Sequence, residues 1–184
     1  MELFSVDIRQ RQSLAKSKLC TSETGKFLLD CFGASSLGFT SFLLLYRATE
    51  HGFKVTDFHS RCDYKGPTLI LVKNDQNLIF GGFTTGAWEA PANFLYKADH
   101  DGFIFSLSKK RRYMLGPGQS QYAICCYSNR GPVFGGGHDI SISDNSNSNT
   151  TSYSDAGKTY IAQREELTGT RNFSCLEIEV FECI

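Results

Sequence analysis

The stretch FHSRCDYKGPTLIL, residues 58–71, decides between two kinds of protein. It places His59, Arg61, Cys62 and Asp63 close together, follows them with Gly66 and Pro67, and then runs into strand-forming residues. As a catalytic cluster it would offer Cys62 as a thiol nucleophile with His59 as its base, beside Asp63. As a turn it would fold a sheet. Thr56 then caps a short helix, Asp57 suits the positive end of that helix, and Phe58 and Cys62 share one face at i, i+4. Asp63 leads into the turn YKGP. On a short helix His59 and Cys62 stand at i, i+3 and would have to converge in a pocket. Spacing of this kind rarely identifies a Cys–His enzyme, so the structural reading is preferred.

Downstream of Pro67 the pattern is mostly β. TLILV is apolar at successive positions, as in a strand covered on both faces. NDQN reads as a turn and LIFGGF as the returning strand of a hairpin. GFIFSL, YAICCY, GPVFGGG and DISIS read as further strands. CLEIEVFE alternates, with Leu176, Ile178 and Val180 pointing one way and Glu177 and Glu179 the other. Upstream, DIRQRQSLAKSKL reads as a loosely docked polar helix. SETGKFLLDCF reads as a second helix, capped by Ser22 and stopped at Gly33. LGFTSFLLLYRA fits a buried helix or a strand equally well. Strands divided by Gly, Asn and Asp turns, with few helices, predict a mainly β fold, a two-layer antiparallel sandwich. Its expected core includes Leu69, Leu71, Ile79, Phe105, Ile178 and Val180. Between the last strands, DNSNSNTTSYSD is low-complexity polar and reads as a mobile loop.

The 184 residues suffice for one domain with its own core. Nineteen basic side chains balance nineteen acidic ones, which argues against a general nucleic-acid binder. The opening MELFSVDIRQRQS has no apolar core of signal-peptide length, and LGFTSFLLLY is too short to span a bilayer, so the expectation is a cytoplasmic protein. The seven cysteines include no C-x-x-C pair, so they read as small core hydrophobes rather than a disulfide or zinc framework.

Other motifs reduce to structure. GGFTTG and GPVFGGG lack the Lys-Ser/Thr of a phosphate-binding loop, and Gly81, Gly82 and Gly135 to Gly137 read as sites of bulges or close sheet packing. Asp144, Ser146, Ser148 and Asp155 approach the spacing of a calcium loop, but Asn149 stands where glycine is needed. The histidines show no metal-ligand spacing, and neither metal nor cofactor is expected. Lys109, Lys110, Arg111 and Arg112 form the one basic run, either a solvated turn or a contact for an acidic surface.

The segment LLLYRATEHGFKVTDFHSRCDYKGPTLILVKNDQNLIFGGFTTGAW resembles the opening of a TLDc domain. The resemblance rests on Tyr46 and Arg47, Gly52 and Phe53, then Phe58, His59, Cys62, Asp63, Gly66, Pro67 and Thr68, then Phe80 to Phe83 and Trp88. FIFSL, GPVFGGGHDISIS and LTGTRNFSCLEIEVFECI continue it. It covers about residues 38–184, which are expected to form the domain, with residues 1–37 as a helical extension belonging to it or packed on it. It implies a sandwich of two antiparallel sheets with a few short helices, and makes the Cys-Asp-x-x-Gly-Pro stretch a structural signature. It also implies a part in protection against oxidative stress and in binding the vacuolar proton-pumping ATPase, with no defined reaction.

The leading expectation is therefore a monomeric, non-enzymatic interaction module with a protein partner, the vacuolar ATPase. The alternatives are a thiol-dependent antioxidant or enzyme, using Cys62 or the Cys125–Cys126 pair, and a nucleic-acid-binding stress regulator suggested only by the basic run. Expected partner contacts are Trp88, as an aromatic anchor, and the run Lys109 to Arg112. The stretch Gly81–Trp88 and the loop Asp144–Asp155 are further candidates. A core role competes with the anchor reading at Trp88.

Overall fold

A computed structural model describes residues 14–33 and 37–184. Twelve strands form two six-stranded antiparallel sheets. The first sheet contains β1 (Phe42–Arg47), β2 (Thr68–Asn74), β3 (Ile79–Thr84), β5 (Phe103–Ser106), β6 (Arg111–Met114) and β12 (Cys175–Cys183). Its spatial order is β1-β12-β2-β3-β5-β6. The second contains β4 (Leu95–Lys97), β7 (Ile124–Cys126), β8 (Arg130–Phe134), β9 (Ile140–Ser143), β10 (Ser152–Tyr153) and β11 (Asn172–Phe173), in the order β11-β10-β9-β8-β7-β4. The chain is thus mainly β, and among the described residues the short helices are α1 (Ser22–Phe32), α2 (Ala48–His51), α3 (Val55–Cys62) and α4 (Arg164–Leu167). LGFTSFLLLYRA resolves in favour of strand at β1.

The expected hairpin is present. β2 and β3 pair from Thr68↔Thr84 to Lys73↔Ile79 across the NDQN turn. Within it Asn74 Oδ1 accepts from the N–H groups of Gln76 and Leu78. β2 is covered on both faces because the first sheet has two cores. Ile70, Val72, Phe80, Ile104, Ile178 and Val180 face the second sheet. Leu69, Leu71, Phe83, Phe105 and Phe181 face the other way, under Leu14, Leu19, Leu28, Phe32 and Phe39 of the N-terminal region. The expected core residues are therefore divided: Ile178 and Val180 lie between the sheets, Leu69, Leu71 and Phe105 lie beneath α1, and Ile79 is only partly buried. Each large apolar side chain so buried contributes about 1.5–3 kcal/mol, so this N-terminal layer is a substantial part of the fold's stability.

The two sheets pack closely at the second glycine of FGGF. A Cβ on Gly82 would stand 2.6 Å from the Phe134 ring, so close sheet packing is what that position requires. At Gly135, φ is +87° and the Asp139 carboxylate fills the space a side chain would take. Asp139 in turn accepts N–H groups from Gly157, Lys158, Thr159 and Tyr160, which pins that loop to the sheet.

Several local expectations are corrected. Thr21, not Ser22, caps α1: its hydroxyl accepts from Thr24 N at 3.2 Å, and Thr24 Oγ1 accepts from Thr21 N at 2.8 Å. Thr56 lies inside α3, and Asp57 serves its entry by accepting from Lys54 N at 3.1 Å. The helix expected over 7–19 falls partly outside the described residues; within them Leu14 is helical and residues 15–16 form a turn, with Leu14 and Leu19 buried rather than loosely docked. The loop 144–155 is hydrogen-bonded rather than loose. Asn149 Nδ2 donates to the carbonyls of Asp144 and Asn145, and Ser146, Ser152 and Ser154 are buried.

Candidate functional site

The stretch 58–71 is a structural junction. His59 lies at the edge of α3 with Nδ1 2.7 Å from Asp63 Oδ1 and Nε2 2.9 Å from the Arg130 carbonyl oxygen. Both ring nitrogens are committed to oxygen partners, and the second of these fastens α3 to β8. Cys62 is buried in the core with Phe58, Trp88 and Ile178. His59, Cys62 and Asp63 are neighbours in the chain, but the thiol and the imidazole do not form a nucleophile–base pair.

Trp88 completes the junction. It is 1% exposed, donates from Nε1 to Thr68 Oγ1 at 2.9 Å, and packs edge-on against Phe58 and Phe134. Its carbonyl accepts from Tyr64 N at 2.8 Å. Of the two roles weighed for Trp88, surface anchor and core, the ring takes the core one, and its one polar atom is satisfied there.

All seven cysteines are free thiols, and Cys20 alone is more than marginally accessible. Burial pushes the Cys20, Cys31 and Cys126 thiols up to about 11 and Cys175 to about 12, and drives Cys62, Cys125 and Cys183 upward as well. A thiol held above its ordinary range is a poor nucleophile at neutral pH. Cys62→Ser is expected to lower stability by about 1–3 kcal/mol, because a hydroxyl replaces a packed sulfur without gaining a partner. In the folded wild type Cys62 should be alkylated later than Cys20; mass mapping after brief iodoacetamide exposure checks the order, and early labelling of Cys62 would refute the structural role.

The basic run is neither a free rim nor simply a solvated turn. Lys110 pairs with Glu23 of α1. Arg111 reaches Glu166 of α4 at 3.2 Å. The Arg112 guanidinium lies 5.4 Å from the Phe103 ring centroid and donates to the Cys31 carbonyl, near the C-terminal end of α1 where a cation is favoured. Replacing Lys109 to Arg112 with alanine is therefore expected to lower the melting temperature. Arg112→Ala alone should account for most of the loss, about 1–3 kcal/mol for a charged hydrogen bond. Thermal melts of the single and quadruple variants test this; an unchanged melt for Arg112→Ala would return the run to the surface.

Two sites carry chemistry that the sequence did not announce. In the turn between β8 and β9 His138 sits between two phenols, its Nε2 2.9 Å from the Tyr127 hydroxyl and its Nδ1 bonded to the Tyr153 hydroxyl. Burial, aided by the nearby Arg130, holds the His138 pKa below its ordinary value. The other is an open cleft of 490 Å³ beside β6, between Arg111–Tyr113 on one side and Gly157–Gln163 on the other. Glu166 stands in it, accepting from the Tyr113 hydroxyl at 2.9 Å. The signal that could have found the cleft was the alternation in RRYM, masked by its charge. Among the described residues no cluster of His, Cys, Asp or Glu has the makings of a metal site. No helix among them is long and apolar enough to cross a membrane.

Comparison with known proteins agrees with this architecture. MTOR-associated protein MEAK7 of Danio rerio is 32% identical over 88 residues, covering 48% of this chain and 19% of its own length. The Mus musculus protein of the same name is 27% identical over 79 residues, covering 43% of this chain and 17% of its own length. GTPase-activating protein skywalker of Drosophila melanogaster is 30% identical over 76 residues, 38% of this chain and 13% of that protein. The matched stretches are thus less than a fifth of these relatives. The TLDc domain family model matches residues 13–184, so the layer from Leu14 onward falls within the match together with both sheets. With a match spanning nearly all of the two-sheet fold and its N-terminal layer, the chain belongs to the TLDc domain family.

Proposed function

We propose that this TLDc domain is a non-enzymatic, cytoplasmic interaction module that acts in resistance to oxidative stress by binding the vacuolar proton-pumping ATPase. One observation supports the non-enzymatic reading above others: the candidate base and nucleophile of the 58–71 junction are committed to the fold, with His59 bonded on both ring nitrogens and Cys62 enclosed. Family membership supports the interaction role. Two of the relatives bear regulatory names, one associated with mTOR and one activating a GTPase, and in each the matched stretch is a small part of a longer protein. The thiol-dependent alternative is weakened by the upward displacement of the cysteine pKa values. The nucleic-acid alternative is weakened because three of the four side chains in the basic run are engaged within the fold.

The experiment is affinity capture from native lysate with the intact tagged chain, followed by mass spectrometry for vacuolar ATPase subunits at two salt concentrations. Enrichment of those subunits over a variant unfolded in its core is the expected result. Absence of enrichment at either salt concentration removes the ATPase as partner.

A further inference from the structure

We propose that Tyr127 is a redox-active tyrosine, a one-electron donor to organic peroxyl radicals that passes its proton to His138. Three separate segments meet here. Tyr127 follows β7, His138 lies between β8 and β9, and Tyr153 is on β10. The Tyr127 hydroxyl is 2.9 Å from His138 Nε2, and His138 Nδ1 is bonded to the Tyr153 hydroxyl. The imidazole ring centroid is 5.6 Å from that of Tyr127 and 5.8 Å from that of Tyr153. A neutral imidazole has one N–H and one acceptor nitrogen, so one phenol donates to it and the other accepts from it. His138 also holds φ at +59°, a left-handed backbone that side chains rarely adopt, so its presence there points to a role for the imidazole itself.

The surroundings select which phenol gives up the electron. The Arg130 and Arg171 guanidiniums stand 5.5 Å and 5.0 Å from the Tyr153 ring centroid. Removing an electron from that ring leaves positive charge beside two cations, which Coulomb repulsion opposes. Tyr127 is therefore the donor: its O–H points at Nε2, and the Nδ1–H donates to Tyr153. Burial and Arg130 keep the imidazole neutral at pH 7, and Asp155 beside it favours the imidazolium once a proton has arrived. Cys125 also faces the Tyr127 hydroxyl, but burial keeps that thiol protonated, so it does not compete for the proton. In the step itself one electron leaves Tyr127 for the peroxyl radical. The phenol O–H bond breaks and its proton forms an N–H bond at Nε2. The peroxyl anion takes a proton from water and becomes a hydroperoxide. Nε2–H then donates to the phenoxyl oxygen and Nδ1–H still donates to Tyr153, so no group has to turn. Tyr127 is only partly exposed and Phe94 packs 6.1 Å from its centroid, which hinders coupling of two phenoxyl radicals.

The test is pulse radiolysis of the intact protein with the trichloromethylperoxyl radical, following the phenoxyl absorption in time with no partner present. Fast phenoxyl formation, lost in Tyr127→Phe and kept in Tyr153→Phe, is expected. His138→Asn keeps a residue that tolerates the left-handed backbone but removes the proton acceptor, and should slow formation about a hundredfold. Should that variant melt earlier than wild type, two readings on unaltered protein decide. The rate should fall as pH drops through the His138 pKa, which lies below its ordinary value, because an imidazolium has no lone pair for the proton. High-field EPR of the trapped radical should show a hydrogen-bond proton on the phenoxyl oxygen that deuterated water replaces. A phenoxyl signal unchanged in Tyr127→Phe, an equal rate in folded His138→Asn, a rate independent of pH, or a radical without that proton would overturn the proposal. Loss of the signal in Tyr153→Phe with its survival in Tyr127→Phe would assign the electron to the other phenol and overturn it equally. The site gives one electron and needs no turnover, so it goes beyond the interaction reading without opposing it. Failure here leaves capture of the vacuolar ATPase untouched, and failed capture leaves the redox site standing.

Discussion

Glu179→Ala is expected to destabilise the domain by about 3–5 kcal/mol, the cost of leaving a buried charge without its partner. That is a large part of the roughly 5–15 kcal/mol by which a domain of ordinary stability stays folded. Glu179 is fully buried on β12. Its Oε1 accepts from Arg47 Nε at 2.8 Å and from Lys18 N at 2.9 Å, and its Oε2 accepts from the Ser17 hydroxyl. Arg47 also donates to the Lys16 carbonyl at 2.6 Å. One carboxylate thus ties the first strand, the last strand and the segment before α1 together. Removing it takes away the buried carboxylate of the largely buried Arg47 guanidinium and leaves it only the half-exposed Glu50, 3.0 Å away, as an ionic partner. Urea unfolding measures the loss, and hydrogen exchange at Lys18 and Leu19 locates it. Glu179→Gln should lose less, because an acceptor remains. The double variant Glu179→Ala/Arg47→Met should recover part of the loss, since no uncompensated charge is then left inside. A change below about 1 kcal/mol for Glu179→Ala would mean that the pair is no stronger than an exposed one.

Trp88→Ala is expected to cost a similar amount, about 3–5 kcal/mol, through the cavity left where Phe58, Phe134 and Thr68 now converge. Trp88→Phe should cost less, about 1–3 kcal/mol, since most of the packing survives while the buried Thr68 hydroxyl loses its donor. Tryptophan fluorescence offers a direct check, because the protein has one tryptophan. Its emission should be blue-shifted in the native state and move red in a single step with unfolding. Native emission at the wavelength of free tryptophan would place the ring in water and revive it as a surface anchor. Any loss of partner capture by Trp88→Ala therefore carries meaning only beside a melt of the same sample.

The parts of the fold legible in the sequence were those where local pattern and burial agree. The β2–β3 hairpin was read from two apolar runs around NDQN because both its strands and its turn are encoded within about twenty positions. The alternation of β12 was equally plain, but its meaning was not. Glu177 and Glu179 occupy the positions of a polar face, yet that face is covered, and their partners Thr49, Ser17, Lys18 and Arg47 lie far away in sequence. A single sequence does not show which of two sheet faces is covered. The same limit hid β6: a run of four basic residues reads as a surface, and only the packed structure reveals that Glu23, Glu166 and the Cys31 carbonyl are waiting for three of them. At the 58–71 junction the residue types raised an enzymatic possibility that geometry dissolved, because His59 is bonded to Asp63 and the Arg130 carbonyl while Cys62 is enclosed in the core.

The place of β12 between β1 and β2 bears on how the protein is made. β2 ends at Asn74 and β12 begins at Cys175, so β2 is synthesised about a hundred residues before its neighbour. At typical elongation rates that interval is on the order of 5–20 s. Throughout it, a strand apolar on both faces has one edge paired in the β2–β3 hairpin and the other open. Long-range pairings of this kind also raise contact order and slow folding. The nascent domain is therefore exposed to aggregation through that interval, and ribosome-associated chaperones have most to protect between the emergence of TLILV and the arrival of CLEIEVFEC.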